Sequence, residues 1–94
     1  MNDQREVRRS VIVSGRVQGV FFRDTCRQTA QRLGLRGWVR NRADGTVEAV
    51  FEGDPADVDD AVRWCRQGPP QAHVTHVEVS SEPVVGEGRF RIIG

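Results

Sequence analysis

The order of elements written into this sequence predicts an α+β sandwich: strand, helix, strand, strand, helix, strand, with a short addition at the C-terminus. Three observations carry that prediction. An apolar run at Val11, Ile12 and Val13 gives way to helical spacing at Phe22, Cys26, Ala30 and Leu33. An Asp44-Gly45 turn separates two runs of β-forming residues. Asp54-Pro55 then opens a second run with helical spacing. The order is that of the split βαβ arrangement, a ferredoxin-like βαββαβ sandwich in which an antiparallel sheet carries two helices on one face.

Each element has its own local reason. Residues 8–14 read as a buried strand, and Gly15 and Gly19 then mark an irregular loop. The first helix runs from Phe22 towards Leu33, with Gly34 as its stop and Asp24, Arg27, Gln28, Gln31 and Arg32 on its polar side. Residues 36–42 and 46–52 are the two strands of the hairpin. Asp54 is the N-cap of the second helix and Pro55 its first residue. Val58, Ala61, Val62 and Cys65 form the apolar stripe of that helix. Its acidic residues come early and its basic residues late, as the helix dipole favours. Gly68-Pro69-Pro70 ends it, residues 74–79 read as a strand with Thr75, Val77 and Val79 on one face, and residues 89–93 as a last short strand. In this topology strands one and two run parallel on either side of strand three. The loop after strand one and the end of strand two therefore meet at one sheet edge, about 10 Å apart.

The chain has 94 residues, the size of one compact domain, and residues 1–94 are read as one domain with a flexible start at 1–6. Fourteen basic and 13 acidic residues leave a net charge of +1, which argues against a dedicated nucleic-acid binder. No apolar stretch approaches the ~20 residues that span a membrane, and the polar start resembles no leader. Two cysteines point to a reducing compartment. The expectation is a cytoplasmic monomer with no nucleic-acid or membrane partner.

Chemistry concentrates at residues 15–23, GRVQGVFFR, between a strand and a helix. Two glycines let the backbone curl so that successive N–H groups point inward as an anion nest. The helix N-terminus adds unpaired donors and partial positive charge. Arg23 offers a bidentate fork to a phosphoryl group. The loop lacks the Gly-Lys-Ser/Thr ending of a nucleotide-binding loop and the glycine spacing of a dinucleotide site. It also lacks the cysteine pair of a heavy-metal chaperone.

The stretch VSGRVQGVFFR, residues 13–23, resembles the first signature of the acylphosphatase family, and GLRGWVRNRADGTVEAVFEG, residues 34–53, resembles the second. The resemblance covers nearly the whole chain beyond residue 6. It implies a ferredoxin-like hydrolase of acyl phosphates that needs no metal or other cofactor. It further implies that Arg23 binds the phosphoryl group, that Asn41 positions the attacking water, and that the backbone amides of Gln18, Gly19, Val20, Phe21 and Phe22 complete the cradle. Inorganic phosphate and similar anions are then expected as competitive ligands. Independently of the resemblance, topology brings Asn41 to the edge that holds residues 15–23. An amide there can orient water but cannot act as a base near neutral pH.

Other features have plainer readings. Cys26 and Arg32 show the Cys-x5-Arg spacing of cysteine phosphatases, but a helix places the two side chains far apart around its axis. His73 and His76 lack the further ligands of a metal site. Trp38 and Trp64 read as packing residues, and Arg16, Arg40 and Arg42 as solvated charges rather than substrate-steering groups. The competing function is a non-catalytic small-molecule or RNA-binding module on the same fold. An RNA binder would carry exposed aromatics on its central strands, where only Phe51 stands. A module detached from a larger carbamoyl-phosphate-using enzyme is a third possibility. Carbamoyl phosphate, glycolytic acyl phosphates and phosphorylated aspartates all suit a pocket that reads mainly the phosphoryl end.

Overall fold

The computed structural model describes residues 5–94. Its elements are β1 (Val7–Arg16), α1 (Phe22–Arg32), β2 (Arg36–Asn41), β3 (Val47–Gly53), α2 (Pro55–Gln67), β4 (His73–Glu82) and β5 (Arg91–Ile92). The sheet order is β4-β1-β3-β2-β5. β3 is antiparallel to both of its neighbours, so β1 and β2 run parallel on either side of it. The expected antiparallel sheet holds for the first four strands. β5 departs from it by pairing parallel to β2, Trp38 with Arg91 and Val39 with Ile92.

Alternation along the strands decides the two faces. Val11, Val13, Val39, Val47, Ala49 and Phe51 are buried in one core with Phe22, Cys26 and Ala30 of α1 and Val58, Ala61 and Cys65 of α2. Asp54 caps α2 by accepting from the Ala56 N–H at 2.9 Å, with Pro55 behind it, as the sequence predicts. Phe90 completes the core by stacking on Phe51 with ring centroids 5.5 Å apart.

β4 corrects one expectation. Thr75, Val77 and Val79 were expected to share a face, yet Val74 and Val77 pack on the core while Thr75 is exposed. A bulge is the cause. Ser14 pairs with His76 but Gly15 pairs with Val74, so Thr75 is an extra residue and the alternation shifts by one. A side chain at Gly15 would lie 2.2 Å from the His73 carbonyl oxygen, so the bulge needs glycine there. Val79 keeps its register opposite Val11 but is 37% exposed at the sheet edge.

The end of the sheet remote from Asn41 is held by one buried carboxylate. Glu52 is fully buried and pairs with Arg8 at 2.9 Å. It also accepts from the N–H groups of Val85 (2.7 Å), Gly86 (3.2 Å) and Glu87 (2.8 Å). Arg8 further binds Glu82 and Glu87, and Arg36 pairs with Glu6 and donates to the Glu87 carbonyl. These bonds carry the chain from β4 across the sheet to β5 on the opposite edge. Burial alone would raise the Glu52 pKa, but the Val85 and Glu87 amides and the Arg8 guanidinium outweigh it and hold the carboxyl below its ordinary value. Its contribution to stability is therefore full above the ordinary carboxyl range and is lost as pH falls through the lowered value. Glu52→Gln is expected to lower stability by about 1–3 kcal/mol at pH 7. The gap between the urea midpoints of the two proteins should narrow as pH falls below the ordinary carboxyl range; a gap that stays constant with pH would contradict this role.

Candidate active site

Strand β2 ends at Asn41, whose partner across the ladder is Val47 on the helix-facing side of the sheet. That register turns Asn41 under the start of α1. Between them lies a cleft of about 330 Å³ lined by Val17, Gly19, Phe21, Phe22, Arg23, Asp24, Asn41 and Ile92. Of the residues named from the sequence, Arg23, Asn41, Gly19, Phe21 and Phe22 meet here. Gln18 and Val20 do not line the cleft: Gln18 faces the hairpin, and Val20 is buried in the core.

Backbone conformation shapes the loop. Gly19 has φ +74° and Phe21 φ +65°, with Val20 between them in the ordinary negative range. Alternating handedness of this kind turns successive N–H groups toward one point. Glycine adopts it freely, but a phenylalanine in the left-handed region costs about 1–2 kcal/mol. Phe21 is also 72% exposed, so no packing explains the strain. Phe21 is the N-cap of α1 and makes no side-chain cap bond; its carbonyl accepts from the Thr25 N–H at 3.1 Å, which leaves the Phe22, Arg23 and Asp24 amides without helical partners. No amide of residues 18–22 donates a hydrogen bond among the described residues.

Two side chains add to these free donors. Arg23 makes no ion pair or hydrogen bond among the described residues. The Oδ1 of Asn41 is buried and takes no hydrogen bond among the described residues, an arrangement worth about 1–3 kcal/mol against the fold. Asn41 does not cap the turn that follows it. Asp44 performs that task, accepting from the Thr46 N–H at 3.0 Å and the Thr46 hydroxyl at 2.6 Å. Asp24, the one carboxylate lining the cleft among the described residues, is paired with Arg27 at 2.6 Å.

The remaining sequence candidates lie elsewhere. Cys26 and Cys65 are both buried, and burial pushes the Cys26 thiol well above its ordinary pKa, so it is no nucleophile. Arg32 is exposed on the far turn of α1. Phe51 is covered by Phe90 and offers no face to a base. Trp64 tilts onto Phe22 at 5.0 Å, and Trp38 lies under the Arg40 guanidinium at 5.8 Å.

The Gln18 side chain is a feature that sequence reasoning missed. Its Nε2 donates to the Arg42 carbonyl at 2.8 Å and the Thr46 carbonyl at 2.9 Å. These bonds join the loop to the hairpin that carries Asn41. A lone glutamine in a loop gives no signal of this, because both partners are backbone atoms 24 and 28 residues away. Ile92 was equally hidden, since it reaches the cleft only through the β5–β2 pairing. Gln18→Glu is expected to lower stability by about 1–3 kcal/mol and kcat with it, because a carboxylate cannot donate to two carbonyls. A thermal melt and a steady-state assay on one preparation check this; a variant with unchanged midpoint and kcat would remove Gln18 from the account.

Comparison with known proteins finds relatives over nearly the whole chain. A family model described as Acylphosphatase matches residues 9–92. The chain is 59% identical over 90 residues to the acylphosphatase of Rubrobacter xylanophilus, which covers 95% of this chain and 82% of that protein. It superimposes on the structure of an acylphosphatase from Coxiella burnetii with a TM-score of 0.92 and 39% identity, over 99% of this chain and 100% of that one. For the crystal structure of acylphosphatase from Bacillus subtilis the TM-score is 0.90 and the identity 37%, over 94% and 99% of the two chains. With the family model spanning nearly the whole chain, and relatives matched in sequence and fold over 82% and 100% of their own lengths, the chain belongs to the acylphosphatase family and hydrolyses acyl phosphates.

Proposed function

We propose that the cleft between β2 and the start of α1 is the catalytic centre, with Arg23 binding the phosphoryl group and Asn41 orienting the attacking water. The observation that carries this reading is the coincidence of two polar side chains without partners among the described residues, Arg23 and the buried Asn41 Oδ1, in one cleft beside loop amides equally unpaired there. Unsatisfied groups of this kind are costly and persist where a ligand completes them.

The chemistry follows from the groups present. The Arg23 fork and the backbone amides of Gln18, Gly19, Val20, Phe21 and Phe22 receive the phosphoryl oxygens. A water donates one hydrogen bond to Asn41 Oδ1 and directs a lone pair at phosphorus. The new P–O bond forms as the bond to the acyl oxygen breaks, and the acyl group leaves as a carboxylate. The water's proton passes to a phosphoryl oxygen, giving dihydrogen phosphate without a protein base. Phosphoryl transfer needs mainly positioning and charge stabilisation, so a sparse site suffices. The reaction proceeds without a metal or other cofactor on this reading, and exhaustive chelation should leave kcat unchanged. Activity lost to a chelator and restored by a divalent ion would refute it. The two buried free thiols support a cytoplasmic setting, and the ion-paired outer face of the sheet supports a monomer.

Arg23→Ala is expected to abolish nearly all activity and weaken competitive inhibition by phosphate, and Arg23→Lys to rescue poorly because lysine lacks the planar fork. Asn41→Ala should lower kcat by about 10²–10³-fold, by analogy with a removed oxyanion donor, while phosphate inhibits at near-normal concentration. Its unfolding midpoint should not fall, because Asp44 and not Asn41 holds the turn. A folded Asn41→Ala protein with near-normal kcat would sink the assignment.

A further inference from the structure

The phosphoryl end of the substrate accounts for the cleft beside Arg23, but the acyl group must leave that cleft along one of its open sides. On the Asn41 side lie Arg40, Arg42, Ala43 and Asp44. The charges there are already matched: Arg40 pairs with Glu48 at 2.8 Å, and Arg42 faces Asp44 at 3.5 Å. The Ile92 side is different. Ile92 also lines a groove of about 360 Å³ formed with Arg27, Gln31, Arg89, Phe90 and Arg91.

Three arginines meet in that groove, and the fold explains why. Phe90 is buried against Phe51, and alternation on either side of it turns Arg89 and Arg91 out together. Gln31 Nε2 donates to the Phe90 carbonyl at 3.3 Å and holds this segment against α1. Arg27 stands one turn after Arg23 on the same helix face, about 6 Å along the axis. The guanidinium groups of Arg89 and Arg91 make no ion pair or hydrogen bond among the described residues. The Nε of Arg27 is buried and likewise without a partner, although its Nη2 holds Asp24. Asp24 is the only carboxylate lining either recess among the described residues, and the groove keeps a positive excess.

We propose that Arg27, Arg89 and Arg91 form a second anion subsite that holds a carboxylate or phosphate at the far end of the acyl group. The inference rests on the assignment of the phosphoryl site to Arg23 and extends it to substrate choice. The preferred substrates are then acyl phosphates carrying a second anionic group about one helical turn from the phosphoryl group. Uncharged short acyl phosphates are hydrolysed with lower kcat/KM, the difference lying mainly in KM.

Three rigid probes test this: 4-carboxybenzoyl phosphate, 4-phosphonobenzoyl phosphate and the neutral 4-carbamoylbenzoyl phosphate. Each holds its end group at a fixed distance and cannot cyclise. The wild-type protein should favour an anionic probe over the amide by about fivefold or more in kcat/KM, the factor that two partly exposed ion pairs supply. In Arg89→Gln/Arg91→Gln that ratio should fall toward one, and in the wild type it should shrink with added salt. The larger of the two anionic preferences says which end group the groove takes. Equal kcat/KM for all three probes in the wild type, or a ratio unmoved by the double substitution, would overturn the subsite while leaving the reaction intact. Hydrolysis of none of them would instead overturn the catalytic reading on which the subsite rests.

Discussion

Everything at the candidate site depends on β3 lying between β1 and β2. Because β3 is antiparallel to both, the outer two strands end at the same edge. The chain then leaves β1 into the loop of residues 17–21 and leaves β2 at Asn41, on two sides of one recess. No local sequence preference achieves this; it is a consequence of pairing between residues separated by up to 46 positions, as in Val7 with Gly53. The hydrophobic core holds the arrangement by burying Val11, Val13, Val39, Val47 and Ala49 under the helices. Gln18 then ties the two sides directly, with hydrogen bonds from the loop to the hairpin.

The two ends of the sheet differ in how their polar groups are treated. At the end remote from Asn41, Glu52 is buried yet meets four donors, and Arg8 is shared among three carboxylates. That network is fully matched and holds the chain between β4 and β5 in place. At the other end, Arg23, Asn41 Oδ1 and the loop amides lack partners among the described residues, and Phe21 carries a strained backbone. A fold tolerates such an end because the rest of the molecule is well satisfied. The strap held by Glu52 also serves the cleft, since it delivers Phe90 to the core and Ile92 to the site.

Much of this was legible in the sequence. The switch from continuous apolar residues to helical spacing located α1, the Asp-Gly turn located the hairpin, and Asp54-Pro55 located the start of α2. Those signals are local, and each has a single structural meaning. Arg23 and Asn41 were legible at a second level, because topology places them together once the element order is known. What escaped was non-local or conformational. The Thr75 bulge depends on a close approach between Gly15 and His73 that no pattern within β4 reveals. Phe21 gives no hint of a left-handed conformation, since phenylalanine rarely adopts one. The chain reaches its parallel pairing at β5 through residues 85–87, which Glu52 holds, and a glutamate within a strand reads as a surface residue until its partners are seen.

The central claim is that the unpartnered groups around this one cleft are the protein's phosphoryl site. Titration of inorganic phosphate into isotopically labelled protein, followed through amide ¹H–¹⁵N correlation spectra, tests it most directly. Saturable shifts at the backbone amides of residues 19–24 and at the Asn41 side-chain amide are expected, sharing one dissociation constant, with the amides of Val85, Gly86 and Glu87 unmoved. Saturable shifts confined to another part of the surface, or the same shifts at the same affinity in Arg23→Ala, would contradict the account.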